Sequence, residues 1–418
     1  MGDNARTLDA ICPEVKEVRK SAPGTNSAHA RAIPWSNARI FADATGTAPY
    51  FPALYAPGAL GIGVGGLIGL GPLQSLYLGR TFMLIAFLLI GAACLWFARA
   101  GQGLFFALLS LPMTLSLAAS FSQDGMIIAS CALAGAMLTL DETEYPKARW
   151  IAAAVIAVVI GSKPPYGLLL FITALPLATR GAMRRLVIAG LFGLPALGWV
   201  VVMMHTSFVS NLALAPYHPG PLWPGSPNVL FDAPDVGGGI RTLLHSPAFI
   251  VILPYNCLKF CYSSLEIEFI GQLGGLNAPL PPGLLAAWKV AISAAFVGML
   301  FGRGRGARQW RALDALFALE VIIASVIAVC LSMYLSWTPV GATLIRGVQG
   351  RYMLPLVPFL PLILPRLGVL MRLPGRLERN AAEANSSATG KAWRTRLIVV
   401  GIVITQIGIP HCFACLGR

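Results

Sequence analysis

Long stretches without a charged residue constrain this chain more than any other feature. One of them reads VIIASVIAVCLSMYLSW over 321–337. A helix needs about 17 to 25 apolar residues to cross a hydrocarbon core of about 30 Å. The whole chain is 56% hydrophobic and only 11% charged, which exceeds what the core of a soluble protein requires. The sequence therefore predicts an all-α integral membrane protein.

The apolar runs predict about ten transmembrane helices. They lie at 80–98, 104–121, 125–140, 150–162, 166–179, 186–204, 284–302, 312–337, 352–371 and 397–416. The run from Ala53 to Leu78 is also uncharged, but its glycines and prolines suit a re-entrant or interfacial segment as well as a span. Pro164 and Pro165 separate two short spans, because proline removes a backbone donor and restricts the residue before it.

Lysines and arginines in the loops predict the orientation, because these side chains stay on the cytoplasmic side. Alternate loops separate into a basic set and a sparse set. The basic, cytoplasmic set is Arg99, Lys147, Arg149, Arg180, Arg184, Arg185, Arg303, Arg305, Arg308, Arg311 and the basic residues from Arg366 to Arg396. The sparse, external set is Arg80, Lys163, Arg241, Lys259, Arg346, Arg351 and Arg418. This rule and anionic lipid explain the formal net charge of +14 without any nucleic acid partner.

The spans and the orientation divide the chain into successive parts. These are an external N-terminal part with a re-entrant or first membrane segment (1–79), an N-terminal helix bundle (80–204), a large extracytoplasmic loop (205–283), C-terminal helices (284–371), a cytoplasmic linker (372–396) and a last transmembrane helix (397–418). The large loop is too long for a simple connector and predicts a small cap or a substrate lid.

Ionisable groups at membrane depth on the external side are costly, so each is a functional hypothesis. The stretch RGVQGRYMLP (346–355) places Arg346, Gln349, Arg351 and Tyr352 where an apolar run begins. A guanidinium presents a planar set of donors that suits phosphate. The alternative is an anchor at the lipid headgroups, with the tyrosine in the aromatic belt. Because arginine anchors usually lie on the cytoplasmic side, we favour phosphate binding.

Further charged residues lie on the same predicted side. Lys163, in GSKPPYG, either neutralises a phosphate or extends to the interface. Asp124, in SFSQDG, is a candidate general base, metal ligand or partner for an arginine, and the alternative is a helix cap made by Ser122 or Asp124 itself. Glu266 and Glu268 precede a glycine-rich turn and form either part of a site or a solvated face.

Cysteines and catalytic motifs add little. Cys257 and Cys261 lie in the large external loop, where a disulfide and two free thiols are both open. The sequence contains no phosphate-binding Walker loop, no dinucleotide fingerprint and no zinc-protease motif. No metal site is predicted.

Six blocks of the sequence are informative when taken together. They are ATGTAPYFPALYAPGALGIGVGGLIGL (44–70), GRTFMLI (79–85), LPMTLSLAASFSQDG (111–125), SKPPYGLLL (162–170), IGQLGGLNAPLPP (270–282) and WTPVGATLIRGVQGRYMLPLVP (337–358). In this order they resemble the domain-of-unknown-function 2142 family of polytopic bacterial membrane proteins. The last block is the most specific. The resemblance relates the chain to the C-type-fold glycosyltransferases that use lipid-linked sugars.

The resemblance implies a helix bundle with its site in external loops, in the bacterial inner membrane. The implied activity is transfer of a sugar from a polyprenyl-phosphate carrier to an envelope glycan or lipid. Arg351, Arg346 and Lys163, with Tyr352 and Gln349 beside them, would then bind the carrier phosphate, and Asp124 would be a supporting carboxylate. No cofactor is firmly implied, and a divalent metal is compatible with this chemistry.

The chain departs from the family pattern at its beginning. The acidic base that such enzymes carry after a first helix has no match among Asp3, Asp9, Glu14 and Glu17. Either the chain is truncated, which we favour and which would leave it without this base, or the Ala53 to Leu78 run is the first span. A transporter or flippase of lipid-linked substrates and a non-catalytic membrane partner remain as rival functions.

Overall fold

Helices form most of the described chain. The computed structural model describes residues 31, 33–36, 50–177, 179, 181–211, 235–273, 278–301 and 311–363, with the backbone alone for 204–211, 300 and 301. The α-helices are α1 (Ala56–Leu67), α2 (Pro72–Phe97), α3 (Gln102–Leu109), α4 (Pro112–Ala118), α5 (Gln123–Leu138), α6 (Ala148–Ser162), α7 (Ala182–Asn211), α8 (Val236–His245), α9 (Phe249–Phe260), α10 (Tyr262–Ile270), α11 (Pro282–Phe301) and α12 (Ala312–Trp337). The 3-10 helices are η1 (Pro52–Tyr55), η2 (Pro164–Ala174) and η3 (Gly350–Leu362). A short antiparallel ribbon pairs β1 (Gln272–Leu273) with β2 (Ala278–Pro279).

Four of these helices are long and apolar enough to cross a membrane. They are α2, α7 over Ala182–Met203, α11 over Pro282–Met299, and α12. Two bent pairs also qualify if each counts as one span: α4 with α5, bent by 115°, and α8 with α9, bent by 109°. The described residues thus carry four to six candidate spans. The predicted span at 397–416 and the end of the one at 352–371 lie outside them.

The central helix of the bundle is α5. Each of its residues except Leu133 is buried, and it packs against α2, α6 and η3. Gly135 permits the close approach of η3, because a Cβ there would lie 2.4 Å from the carbonyl oxygen of Pro358. The first turn of α5 and the first turn of η3 both carry predicted site residues, and this packing brings the two elements together.

Glycines also bring α1 and α2 together. A Cβ at Gly61 would lie 2.6 Å from the Cα of Gly79, so the two backbones touch, as in membrane helix pairs that meet through small residues. With 12 residues, α1 rises about 18 Å, which is too short to cross a hydrocarbon core. The run from Ala53 to Leu78 is therefore not one spanning helix, and the re-entrant or interfacial alternative stays a prediction.

Two predicted spans differ from the structure. The span predicted at 104–121 is broken into α3 and α4 at Leu111, because Pro112 at the start of α4 cannot donate to the preceding turn. The span predicted at 80–98 begins earlier, at Pro72, because the turn at Gly69 ends α1 and leaves the remaining residues to α2. By contrast, α12 occupies the predicted range of 312–337.

The break predicted around Pro164 is present. Helix α6 ends at Ser162, Lys163 leaves the helical conformation with φ −137° and ψ 86°, and η2 begins at Pro164. The chain therefore turns at Lys163, whose partly buried side chain lies at the junction of two short helical segments.

The region predicted as a large external loop, 205–283, is mostly helical where it is described. Helix α7 extends into it as far as Asn211, and α8, α9 and α10 follow before the β-ribbon. The bent pair of α8 and α9 is apolar enough to be a broken span or a re-entrant loop, which the sequence had not predicted. Residues 212–234 and 274–277 lie outside the description.

Loops predicted on the cytoplasmic side contact one another. The backbone N–H of Arg99 donates to Thr139 Oγ1 over 2.9 Å, and the backbone N–H of Leu177 donates to Asp314 Oδ1 over 2.8 Å. Both contacts join segments that the alternation of basic loops assigns to the same side. The choice of that side as cytoplasmic stays a prediction.

Candidate functional site

Asp124 lies at the beginning of the central helix. Ser122 is the N-cap of α5, and its Oγ accepts a hydrogen bond from the backbone N–H of Asp124 over 3.2 Å. The capping role proposed for this stretch thus belongs to Ser122, and the carboxylate of Asp124 is available for other contacts. Asp124 itself is only 8% exposed.

Two cations share that carboxylate. Lys163 Nζ lies 2.5 Å from Asp124 Oδ1, and Arg351 Nε lies 3.4 Å from Asp124 Oδ2. The three side chains come from the start of α5, the turn after α6 and the first turn of η3, which are far apart in sequence. We call Asp124, Lys163 and Arg351 the ion cluster. With two positive groups and one negative group, it leaves one unit of positive charge uncompensated.

Tyr352 lies against both cations. Its ring centroid is 4.2 Å from Lys163 Nζ and 5.6 Å from the guanidinium carbon of Arg351. An aromatic face attracts cations through its quadrupole, so Tyr352 orients both groups without neutralising either. The residue predicted as a neighbour of the phosphate site therefore belongs to the cluster.

Hydrogen bonds from other segments fix the backbone around the cluster. Tyr166 Oη donates to the backbone carbonyl of Tyr352 over 2.8 Å, which joins η2 to η3. Ser162 Oγ donates to the carbonyl of Phe51 over 3.3 Å, which brings the segment before η1 to the end of α6. A Cβ at Gly161 would contact the ring of Phe51, so this approach also depends on a glycine.

Tyr50 is a member of the site that the sequence did not predict. It lies before η1, close enough to the ion cluster to interact electrostatically with Lys163, Asp124 and Arg351. Burial raises the pKa of Tyr50, Lys163 acts to lower it and Asp124 to raise it. Tyr50 therefore supplies a neutral phenol beside the charged groups. The only sequence signal that could have identified Tyr50 as a site residue was its position in the block at 44–70, which resembles the family.

The other two predicted phosphate ligands differ from Lys163 and Arg351. The Arg346 side chain is exposed, and its backbone N–H donates to Thr338 Oγ1 over 3.0 Å. The Gln349 Oε1 atom is buried and has no hydrogen-bond partner among the described residues. The structure thus assembles Asp124, Lys163, Arg351 and Tyr352 by direct contact, while roles for Arg346 and Gln349 in phosphate binding stay predictions.

Glu266 and Glu268, in the predicted external loop, also contact other segments of the chain. Glu266 Oε2 lies 2.7 Å from Lys289 Nζ on α11, and Glu268 Oε2 accepts from the backbone N–H of Gly350 over 2.8 Å. A simple solvated face does not describe these two residues. Within the described ranges, no group of three or more His, Cys, Asp or Glu side chains could hold a metal ion.

The comparisons with known proteins give one result. No curated protein matches the chain, and no solved structure matches it. The sequence matches the family described as predicted membrane protein (DUF2142) over residues 6–360, which is most of the chain and includes the whole ion cluster. Together with the candidate spans, this match establishes a multi-pass membrane protein that belongs to the DUF2142 family.

Proposed function

We propose that this protein is a membrane glycosyltransferase that moves a sugar from a polyprenyl-phosphate carrier to an envelope glycan or lipid at the external face of the bacterial inner membrane. The observation that carries the proposal is the ion cluster, in which Lys163 and Arg351 share the single carboxylate of Asp124. The proposal includes a C-type-fold bundle of about ten spans, which follows from the resemblance and the apolar runs.

The charge of the cluster suits a phosphate. One carboxylate cannot neutralise two cations, so a negative group that approaches Lys163 and Arg351 meets a net attraction. The side chains of Lys163 and Arg351 are 17% and 22% exposed, which leaves each able to contact a ligand while most water is excluded. Charge interactions are stronger in such partly buried sites than in bulk water.

The chemistry that we propose is an inverting displacement. An acceptor hydroxyl attacks the anomeric carbon and forms the new glycosidic bond, while the bond from that carbon to the phosphate oxygen breaks. The electron pair stays on the phosphate oxygen, where Lys163 and Arg351 stabilise the charge. The hydroxyl proton passes to a base. We do not assign that role to Asp124, because both of its carboxylate oxygens contact cations.

The test uses full-length protein in lipid vesicles, with polyprenyl-phosphate-linked hexoses and pentoses as donors and release of polyprenyl phosphate as the readout. We expect Arg351→Ala and Lys163→Met each to lower turnover by about 10²- to 10³-fold, the usual effect of removing one charge-stabilising group. Arg241→Ala is the matched control, because Arg241 lies on the same predicted side with its side chain 75% exposed.

A binding experiment separates phosphate recognition from chemistry. Wild-type protein should bind polyprenyl phosphate more tightly than the uncharged polyprenol, and the preference should disappear in the Arg351→Ala and Lys163→Met variants. Equal binding of the two lipids by wild-type protein, or no change in the variants, would refute the proposed role of the cluster.

A transporter of lipid-linked sugars is the second candidate. The observation in its favour is the presence of two sharply bent helix pairs, since discontinuous helices often form substrate sites in transporters. Movement of the donor across vesicles without its consumption would support this function over sugar transfer.

A further inference from the structure

Two carboxylates on α10 have different partners. Glu266 pairs with Lys289 on α11, whereas Glu268 reaches η3 and accepts from the N–H of Gly350 over 2.8 Å. Ser264 Oγ donates to the other Glu268 oxygen over 3.4 Å, which orients the carboxylate. Glu268 therefore stabilises a backbone amide in a distant segment of the chain.

Gly350 is the first residue of η3, and its amide is one of those that a helix leaves without an internal partner. It also lies directly against the backbone of α10, because a Cβ at this position would be 1.9 Å from the carbonyl oxygen of Leu265 and 2.7 Å from the backbone nitrogen of Phe269. Only glycine permits this approach. The approach then places the amide within reach of Glu268.

Because Arg351 follows Gly350 in the chain, the contact that fixes the Gly350 amide also fixes the backbone of Arg351. On the other side, the carbonyl of Tyr352 accepts from Tyr166. The backbone of Arg351 is thus attached to α10 before it and to η2 after it. These two attachments place the guanidinium 3.4 Å from Asp124.

We propose that Glu268 is a positioning residue that fixes Arg351 opposite Asp124 through the amide of Gly350. By this contact, α10 sets the position of Arg351 in the ion cluster, so that movement of α10 changes the position of Arg351. The consequence for ligand binding rests on the proposed function, but the positioning itself does not.

The test compares full-length Glu268→Ala, Glu268→Asp and Glu268→Gln with the control Glu266→Ala on the same helix. The first readout is the rate at which a dicarbonyl reagent modifies Arg351, measured by peptide mass spectrometry. We expect Glu268→Ala to raise that rate about tenfold, an effect in keeping with the loss of one hydrogen bond to a charged acceptor. Glu268→Asp should raise the rate to a similar extent, because the aspartate side chain is too short to reach the Gly350 amide. Glu268→Gln should stay near the wild-type rate, because its amide oxygen still accepts this hydrogen bond.

The second readout is binding of polyprenyl phosphate, which should weaken about tenfold in Glu268→Ala and Glu268→Asp for the same reason. Equal Arg351 reactivity in Glu268→Ala, Glu268→Asp and Glu266→Ala would overturn the proposal. If wild-type protein does not bind polyprenyl phosphate while Glu268→Ala still exposes Arg351, the proposed function fails and the positioning role stands. Glu268→Asp keeps the test available if Glu268→Ala does not fold.

Discussion

Removal of the negative charge from the ion cluster is the sharpest test of its architecture. In Asp124→Asn the amide has nearly the shape of the carboxylate, but Lys163 and Arg351 lose their shared counter-charge. Asp124 lies 2.5 Å from Lys163 Nζ and 3.4 Å from Arg351 Nε. The side chains of Asp124, Lys163 and Arg351 are 11%, 17% and 22% exposed, respectively. The cluster is therefore partly buried, and its interactions are only weakly screened by solvent.

The expected loss of stability follows from these distances. With an effective dielectric constant of about 20, each contact has a gross attraction of about 5 to 7 kcal/mol, much of which offsets desolvation. Removing one partner of a buried pair costs about 3 to 5 kcal/mol. Because all three side chains keep some exposure, we expect about 3 kcal/mol, or about 3 to 6 °C in apparent melting temperature at a fixed scan rate.

The double variant Asp124→Asn/Lys163→Met distinguishes charge balance from lost packing. It removes one positive and one negative charge, so about half of the lost stability should return, as expected for residues in contact. Thermal unfolding of detergent-solubilised protein, with a matched Arg241→Ala control, measures both effects. An Asp124→Asn variant as stable as wild type, or a double variant no more stable than the single one, would refute the reasoning.

Two further predictions concern packing and thiols. Gly61→Ala should destabilise the protein by about 1 to 3 kcal/mol, because its Cβ meets the backbone of Gly79. Gly63→Ala, on the same helix, has open space around its Cβ and should be nearly neutral in the same thermal assay. All three cysteines Cys257, Cys261 and Cys330 are free, so thiol labelling of the folded protein should modify the partly exposed Cys261 and spare the two buried ones. Labelling after unfolding is the control, and equal labelling of the three in the folded protein would contradict the prediction.

Parts of the fold could be predicted because their causes are local. The range of α12 follows from one long apolar run that holds only two charged residues, and the break at Lys163 follows from the two prolines after it. The bend between α8 and α9 was missed because each helix is too short to give a span by itself. A search for long runs does not detect two short helices on either side of a turn.

The site was predictable in its members but not in its geometry. Asp124, Lys163 and Arg351 could be selected because charge is costly at membrane depth. Their mutual contacts depend on the packing of α5 against α6 and η3, which no local periodicity encodes. Tyr50 was missed for the same reason, since it reaches the cluster only through the approach of its segment to the end of α6.

The three prolines inside η3 make this element a spacer of defined length. Pro355, Pro358 and Pro361 prevent a regular α-helix, and Pro358 lies against Gly135 of α5. A 3-10 helix rises about 2.0 Å per residue and an α-helix about 1.5 Å, so the stretch from Pro358 to Arg351 would shorten by about 3.5 Å if it became α-helical. That shift is similar in size to the separation between Arg351 Nε and Asp124 Oδ2, which is 3.4 Å. The prolines of η3 thus help to set the distance between Arg351 and Asp124.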